Sequence, residues 1–189
     1  MKEPHIPTAK MSEEEDLIRF LRIAGRLKKE PRRGWVIRAG VSNPESVADH
    51  TFRLILLAML LGDLRGLDTE KMMKLAVIHD LGESLTGDLT PMDAERLETK
   101  ERDEGTAIEE VFSNLPSRLR ERYLRLWREL CSGTSKEAKL VSEADKLEMA
   151  LQASEYMDEG YSKEMLSEFK ISAIQRLSDS QMLDLMRLI

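Results

Sequence analysis

Apolar positions recur at three- and four-residue intervals along most of the chain, and no stretch alternates convincingly with period two. Leu17, Phe20, Ile23, Ala24 and Leu27 predict a first helix over 12–29, opened by a capping pair, Ser12 and Glu15. Pro31, Gly34, Gly40 and Pro44 break up the next stretch, which reads as a long loop. A second helix is predicted over 46–64. It is apolar almost all round after Phe52, the pattern of a central core helix. Thr69 is expected to cap a third helix running to about Leu81, with Leu75, Ala76 and Ile78 buried. Gly82 and Gly87 then suit a helix end and a tight turn. The polar segment over 93–114 is expected to be helical and largely exposed, and helices over 116–131, 135–158, 162–177 and 179–188 follow. The pattern predicts an all-α fold, a compact multi-helix bundle in one domain over 1–189, with 1–11 as an irregular arm.

Composition narrows the class without changing it. The chain is 41% hydrophobic and 34% charged with 5% aromatics, a helix-forming mixture. A lone cysteine, Cys131, excludes an internal disulfide framework and a multi-cysteine zinc site, and fits a reducing compartment. The longest apolar run, 54–62, is too short to cross a membrane, and the first residues lack the apolar core of a signal peptide. A cytoplasmic protein without a membrane is expected. The net charge of −6 argues against binding a nucleic acid polymer. Basic residues do cluster locally: Arg32, Arg33 and Arg38 surround Trp35 in the predicted loop, whereas those over 118–128 mix with Glu121 and Glu129 as on a solvated helix face.

Four polar residues sit where aliphatic ones would serve a core better. His50 lies near the start of the most apolar helix, His79 and Asp80 follow the apolar run Ala76-Val77-Ile78, and Asp145 lies between Ala144 and Leu147. A carboxylate buried at such a place is costly unless it is paired or bound to a cation. Two imidazoles and two carboxylates from three helices suit one divalent ion: Mn, Fe, Co, Ni or Zn, or Mg less ideally. Spacing alone leaves this open against satisfied polar residues. Glu83 shares a helical face with His79 at four residues' distance, and Asp88 follows in a turn.

The ordered set His50, His79-Asp80 and Asp145 resembles the metal ligands of the HD-domain phosphohydrolase superfamily. The segments PRRGWVIRAGVSNPESVADHTFR, LAVIHDLGESLTGDLTP and EAKLVSEADKLEMALQASEY, which together span 31–156, resemble its branch of 5′-deoxynucleotidases. The resemblance implies a metal-dependent hydrolase that removes the 5′-phosphate from deoxyribonucleoside 5′-monophosphates by attack of a metal-activated water. In that setting Glu83 and Asp88 are catalytic: one division has Glu83 orienting or deprotonating the water and Asp88 assisting proton delivery to the leaving 5′ oxygen. The alternatives are a helix-end surface charge for Glu83 and a turn cap for Asp88. The family's nucleotide-contacting arginine and tryptophan, which precede the first ligand, match Trp35 and either Arg32 or Arg33; the competing reading is an ordinary basic loop. Apolar residues late in the chain, among them Leu166, Phe169, Ile171, Leu177 and Met182, together with the habit of relatives, point to a homodimer. The competing functions are an HD-domain phosphodiesterase or nucleotide phosphohydrolase with another substrate, and a non-catalytic helical dimer stapled by metal.

Overall fold

The computed structural model describes residues 12–88, 90 and 100–189, with the side chains of 100–103 outside that description. The arm expected over 1–11 and the start of the polar segment at 93 lie outside the described residues. The rest is helical, with no strand among the described residues beyond an isolated bridge between Pro31 and Ser46. The all-α expectation is met.

Helix starts follow side chains that satisfy exposed backbone N–H groups. Ser12 and Glu15 form the capping box of α1 (Glu13–Ala24), which tightens into a 3-10 turn over Gly25–Lys28 instead of running on as α-helix. Ser46 and Asp49 form the same device at α3 (Val47–Arg65). Asp68, one residue before the expected Thr69, caps α4 (Thr69–Ile78) by accepting from the Lys71 N–H at 2.9 Å. The hairpin of α3 and α4 is tight. A side chain at Gly62 would meet Thr69 Oγ1 at 2.7 Å and the Thr69 Cα at 3.0 Å, so only glycine allows this approach.

Two expectations are corrected by packing. The stretch read as a loop contains α2 (Arg33–Ala39), closed by Gly40 at φ +66°. Gly34, Val36 and Ile37 are poor helix formers, but Trp35 is buried against Val41, Tyr156 and Phe169, and that burial carries the helix. The segment expected to be exposed forms α6 (Lys100–Ser113) after the short α5 (Glu83–Thr86); its Ala107 is buried, and its Ile108, Val111 and Phe112 are buried in an apolar cluster with Val47 and Ile78.

The remaining helices are α7 (Ser117–Ser132), α8 (Lys136–Asp158), α9 (Lys163–Ile174) and α10 (Ser180–Met186). The central element is α8, not α3. Ten of its residues are buried, and it packs on α3, α4, α7, α9 and α10. One side of α3 joins it through Leu54, Ala58 and Leu61, while Phe52, Leu56, Leu60 and Leu64 on the other side are exposed. Conversely, Leu166, Phe169, Leu177, Met182 and Met186 from the end of the chain complete the core. Among the described residues no helix is long and apolar enough to cross a membrane.

Candidate active site

His50 stands in the first turns of α3, His79 and Asp80 directly follow α4, and Asp145 lies in the middle of α8. Their side chains meet at the contact of the three helices. His50 Nε2 is 3.2 Å from His79 Nε2, 3.2 Å from Asp145 Oδ1 and 3.9 Å from Asp80 Oδ2, and His79 Nε2 is 2.9 Å from Asp80 Oδ2.

The opposite nitrogens fix what these atoms are. His79 Nδ1 lies 2.7 Å from the Ala76 carbonyl, which can only accept, so Nδ1 carries a proton and donates it. His50 Nδ1 likewise donates to the carboxylate of Glu148. In neutral rings both Nε2 atoms therefore present lone pairs to each other, an arrangement that repels unless positive charge sits beside them. Two donors each about 2.1 Å from one ion, at right angles, would be roughly 3 Å apart, close to the separation seen. The donor set fits a divalent ion.

The surrounding carboxylates favour positive charge at this point, whether a proton on Nε2 or an ion. Burial and the nearby Arg32 push the His50 pKa down, yet hydrogen bonds with Asp145 and Glu148 pull it up to about 10. Burial also opposes the charges on Asp80 and Asp145. His79 and Arg32 outweigh it at Asp80, Lys146 and His50 outweigh it at Asp145, and both carboxyls are held below the usual range. A second trio of donors, Glu45, His50 and Glu148, lies on the Nδ1 side of the same ring. It brings one imidazole only, and Glu148 is already paired with Arg53 there.

A cavity of about 290 Å³ opens over the Nε2 side, with Asp80, Asp145, Glu83 and Asp88 in its lining. Glu83 does not share a helix with His79. The chain turns over 79–82, Glu83 opens α5, and its Oε2 is buried. Asp88 accepts from the Arg33 N–H at 2.6 Å, so it caps the start of α2 as well as facing the cavity. Arg32 enters the lining and bonds Asp80 Oδ2 at 3.0 Å; Arg33 is outside the lining, with Nη1 on the Asp88 carbonyl at 3.3 Å. Trp35 is a wall of the cavity rather than a polar contact, since its N–H bonds Glu45 Oε1 at 3.0 Å and it is 2% exposed. Phe169 lies against it, with ring centroids 4.3 Å apart.

Several site residues carry no mark in the motif reading. Lys146, Phe169 and Arg176 line the cavity, and Glu148 and Arg53 stand behind His50. A signal for the last two did exist. Each lies three residues after a candidate ligand on an apolar helix, hence on the ligand's own face.

A bundle of helices that brings His, His-Asp and Asp together beside one cavity is an arrangement that could hold a metal ion. The HD domain family model matches residues 24–183, and the chain belongs to that family. It is similar to the mouse 5′-deoxynucleotidase HDDC2, 40% identical over 169 residues that cover 89% of this chain and 84% of that one. The human 5′-deoxynucleotidase HDDC2 is 39% identical over 169 residues, 89% and 82% of the two chains. Among solved structures, a conserved hypothetical protein from Pyrococcus furiosus superposes with a TM-score of 0.75 at 37% identity, covering 91% of this chain and 99% of that one.

Proposed function

We propose that this chain is a metal-dependent phosphohydrolase that removes the 5′-phosphate from deoxyribonucleoside 5′-monophosphates, working as one domain. The observation that carries the metal-dependent chemistry is the pair of facing imidazole Nε2 atoms flanked by two carboxylates under a cavity that also receives Arg32. The choice of substrate rests on relatives named 5′-deoxynucleotidases at about 40% identity over most of the chain.

His50, His79, Asp80 and Asp145 would hold one divalent ion, which would supply Lewis acidity, lowering the pKa of a water and neutralising phosphate charge. Mn, Co, Fe, Ni, Zn and Mg are the candidates, given mixed nitrogen and oxygen donors. Arg32 offers a planar guanidinium to the phosphate oxygens beside those ligands. Glu83 orients the attacking water and takes its proton as the new P–O bond forms. Asp88 relays a proton from solvent to the 5′ oxygen as its bond to phosphorus breaks, and Glu83 returns the water's proton to solvent, leaving phosphate and a free nucleoside. Trp35 and Phe169 give the sugar and base an apolar wall.

This positioning implies a sharp preference for the phosphate's place. With the phosphate end fixed by Arg32 and the proposed ion, a 3′-phosphate would reverse the nucleoside against the Trp35 wall, and a triphosphate would push the sugar away from it. Phosphate release from the 5′-deoxy, 5′-ribo, 3′-deoxy and 5′-triphosphate forms of one base is expected to be fastest for the first, and to vanish for all on chelation. Equal kcat/KM for the 3′ and 5′ monophosphates would sink the positioning argument, and release unaffected by chelator would sink the metal.

The same reading includes a homodimer, through α3. Phe52, Leu56, Leu60 and Leu64 are 64%, 40%, 54% and 74% exposed and recur every four residues along one face. Covering what each still exposes would contribute roughly half of the ~1.5–3 kcal/mol that full burial of such a side chain gives. Sedimentation at low micromolar concentration is expected to give twice the chain mass, and Leu56→Glu with Leu60→Glu the chain mass. A wild-type protein sedimenting as one chain rejects the dimer.

A further inference from the structure

The geometry points to Glu148 and Arg53 as positioning residues that hold His50 in the one orientation and tautomer able to ligate a metal, a role that rests on the metal site proposed above. His50 lies wholly out of solvent, and both of its ring nitrogens are engaged from α8: Nε2 meets Asp145 Oδ1 at 3.2 Å, and Nδ1 donates to Glu148 Oε2. Glu148 is itself buried, at 1% exposure, and a lone carboxylate there would be costly. Arg53 supplies its counter-charge, with Nε on Glu148 Oε1 at 2.8 Å.

Arg53 is held in its turn. Its Nη1 bonds both oxygens of Glu155 at 2.8 and 2.7 Å, and its Nη2 bonds Gln152 Oε1 at 2.6 Å. Residues 145, 148, 152 and 155 form one stripe of α8, and residues 50 and 53 lie on one face of α3. A clamp between two helices could use any pair of opposite charges. Here the clamping carboxylate has its second oxygen on the side of the imidazole that faces away from the cavity. That contact keeps the proton on Nδ1, leaves the Nε2 lone pair for an ion, and makes the ring a better donor. Glu148→Gln removes the charge that enforces this. Arg53→Met leaves the charge buried without its guanidinium.

The test is metal affinity without substrate. Co(II) or Mn(II) is titrated into metal-stripped wild-type protein and variants by competition with a chromophoric chelator, with a thermal melt run on each. Glu148→Gln is expected to weaken binding about 10–100-fold, the usual cost of removing a ligand's carboxylate partner. Arg53→Met is expected to act in the same direction, and Arg53→Lys, which keeps the charge but loses the fork, to recover part of the loss. Met182→Ala, a core change on α10 outside the cavity lining, serves as the control for stability alone and is expected to lower the melting temperature with affinity unchanged. Glu148→Gln binding within twofold of a folded wild type overturns the role, as does an equal loss of affinity in Met182→Ala or a wild type that binds no metal. A wild type that binds metal tightly but releases no phosphate sinks the phosphohydrolase reading and leaves this one standing.

Discussion

Asp145→Ala is expected to leave a folded protein that purifies without its metal and has lost phosphate release by about 10³-fold or more. The estimate follows from the several kcal/mol of charge stabilisation that a catalytic ion provides, at a factor of ten for each 1.4 kcal/mol. Asp145 is the best of the four positions for a clean result. It lies mid-helix between Ala144 and Lys146, so alanine keeps the backbone in the conformation it favours. The side chain is only part-buried, bonds Lys146 Nζ at 2.7 Å and faces His50 Nε2, so its loss opens no large core cavity. His79→Ala and Asp80→Ala are expected to follow it. His50→Ala removes a fully buried ring and leaves Glu148 Oε2 without its donor, so it combines loss of metal with loss of stability. Metal content measured on each purified variant beside phosphate release checks the set. Full metal occupancy in a folded Asp145→Ala protein would take that residue out of the ligand set.

Helices were legible where local chemistry announces them. Ser46 and Ser135 mark the starts of α3 and α8, Gly66 and Gly133 mark stops, and the periodic apolar residues between them do the rest. The structure departs from the pattern where a distant contact overrides a local preference. Nothing local makes a helix of Arg33–Ala39; the burial of Trp35 against α8 and α9 does. Conversely α4 stops at Ile78, three residues early. His79 uses its own Nδ1–H on the Ala76 carbonyl, the acceptor that the Asp80 N–H would need if the helix continued. That early stop aims the site, because it turns Asp80 and Glu83 toward the cavity from a chain no longer bound to helical spacing. The apolar character of α3 misled for a different reason. A helix hydrophobic all round reads as central, but its Phe52, Leu56, Leu60 and Leu64 face outward.

At the site, the anomaly of polar residues in apolar helices marks His50, His79, Asp80 and Asp145 only as candidates, and the resemblance to the HD-domain superfamily is what makes a ligand set of them; the fold brings the four together. What spacing could not decide was direction. Neighbouring arginines in the sequence, Arg32 and Arg33, diverge across the start of α2, and only one reaches the cavity. Asp88 has two tasks that a sequence cannot separate, since the same carboxylate ties down the Arg33 N–H and faces the cavity. A loss of activity in an Asp88 variant would therefore mix chemistry with movement of α2.

Glu83 gives the cleaner view of the chemical step. It lines the cavity with Asp80 and Asp145 yet stands outside the four donors that meet at His50 and His79. Glu83→Gln preserves the shape and hydrogen-bonding reach of the side chain and removes its basicity. Metal content and melting temperature are expected to stay at wild-type values while kcat falls by about 10²–10⁴-fold, the usual contribution of a general base. Because a base acts as the water's proton departs, KM for the nucleotide is expected to change little. A surface charge at a helix end would behave otherwise, since its removal costs neither metal nor turnover. The deciding measurement is single-substrate kinetics on metal-saturated wild type and Glu83→Gln, with bound metal quantified in the same samples. Wild-type kcat at full metal occupancy would remove Glu83 from the chemistry and leave Asp88 as the carboxylate to test. A fall in kcat that tracks a fall in metal would instead place Glu83 among the groups that hold the ion.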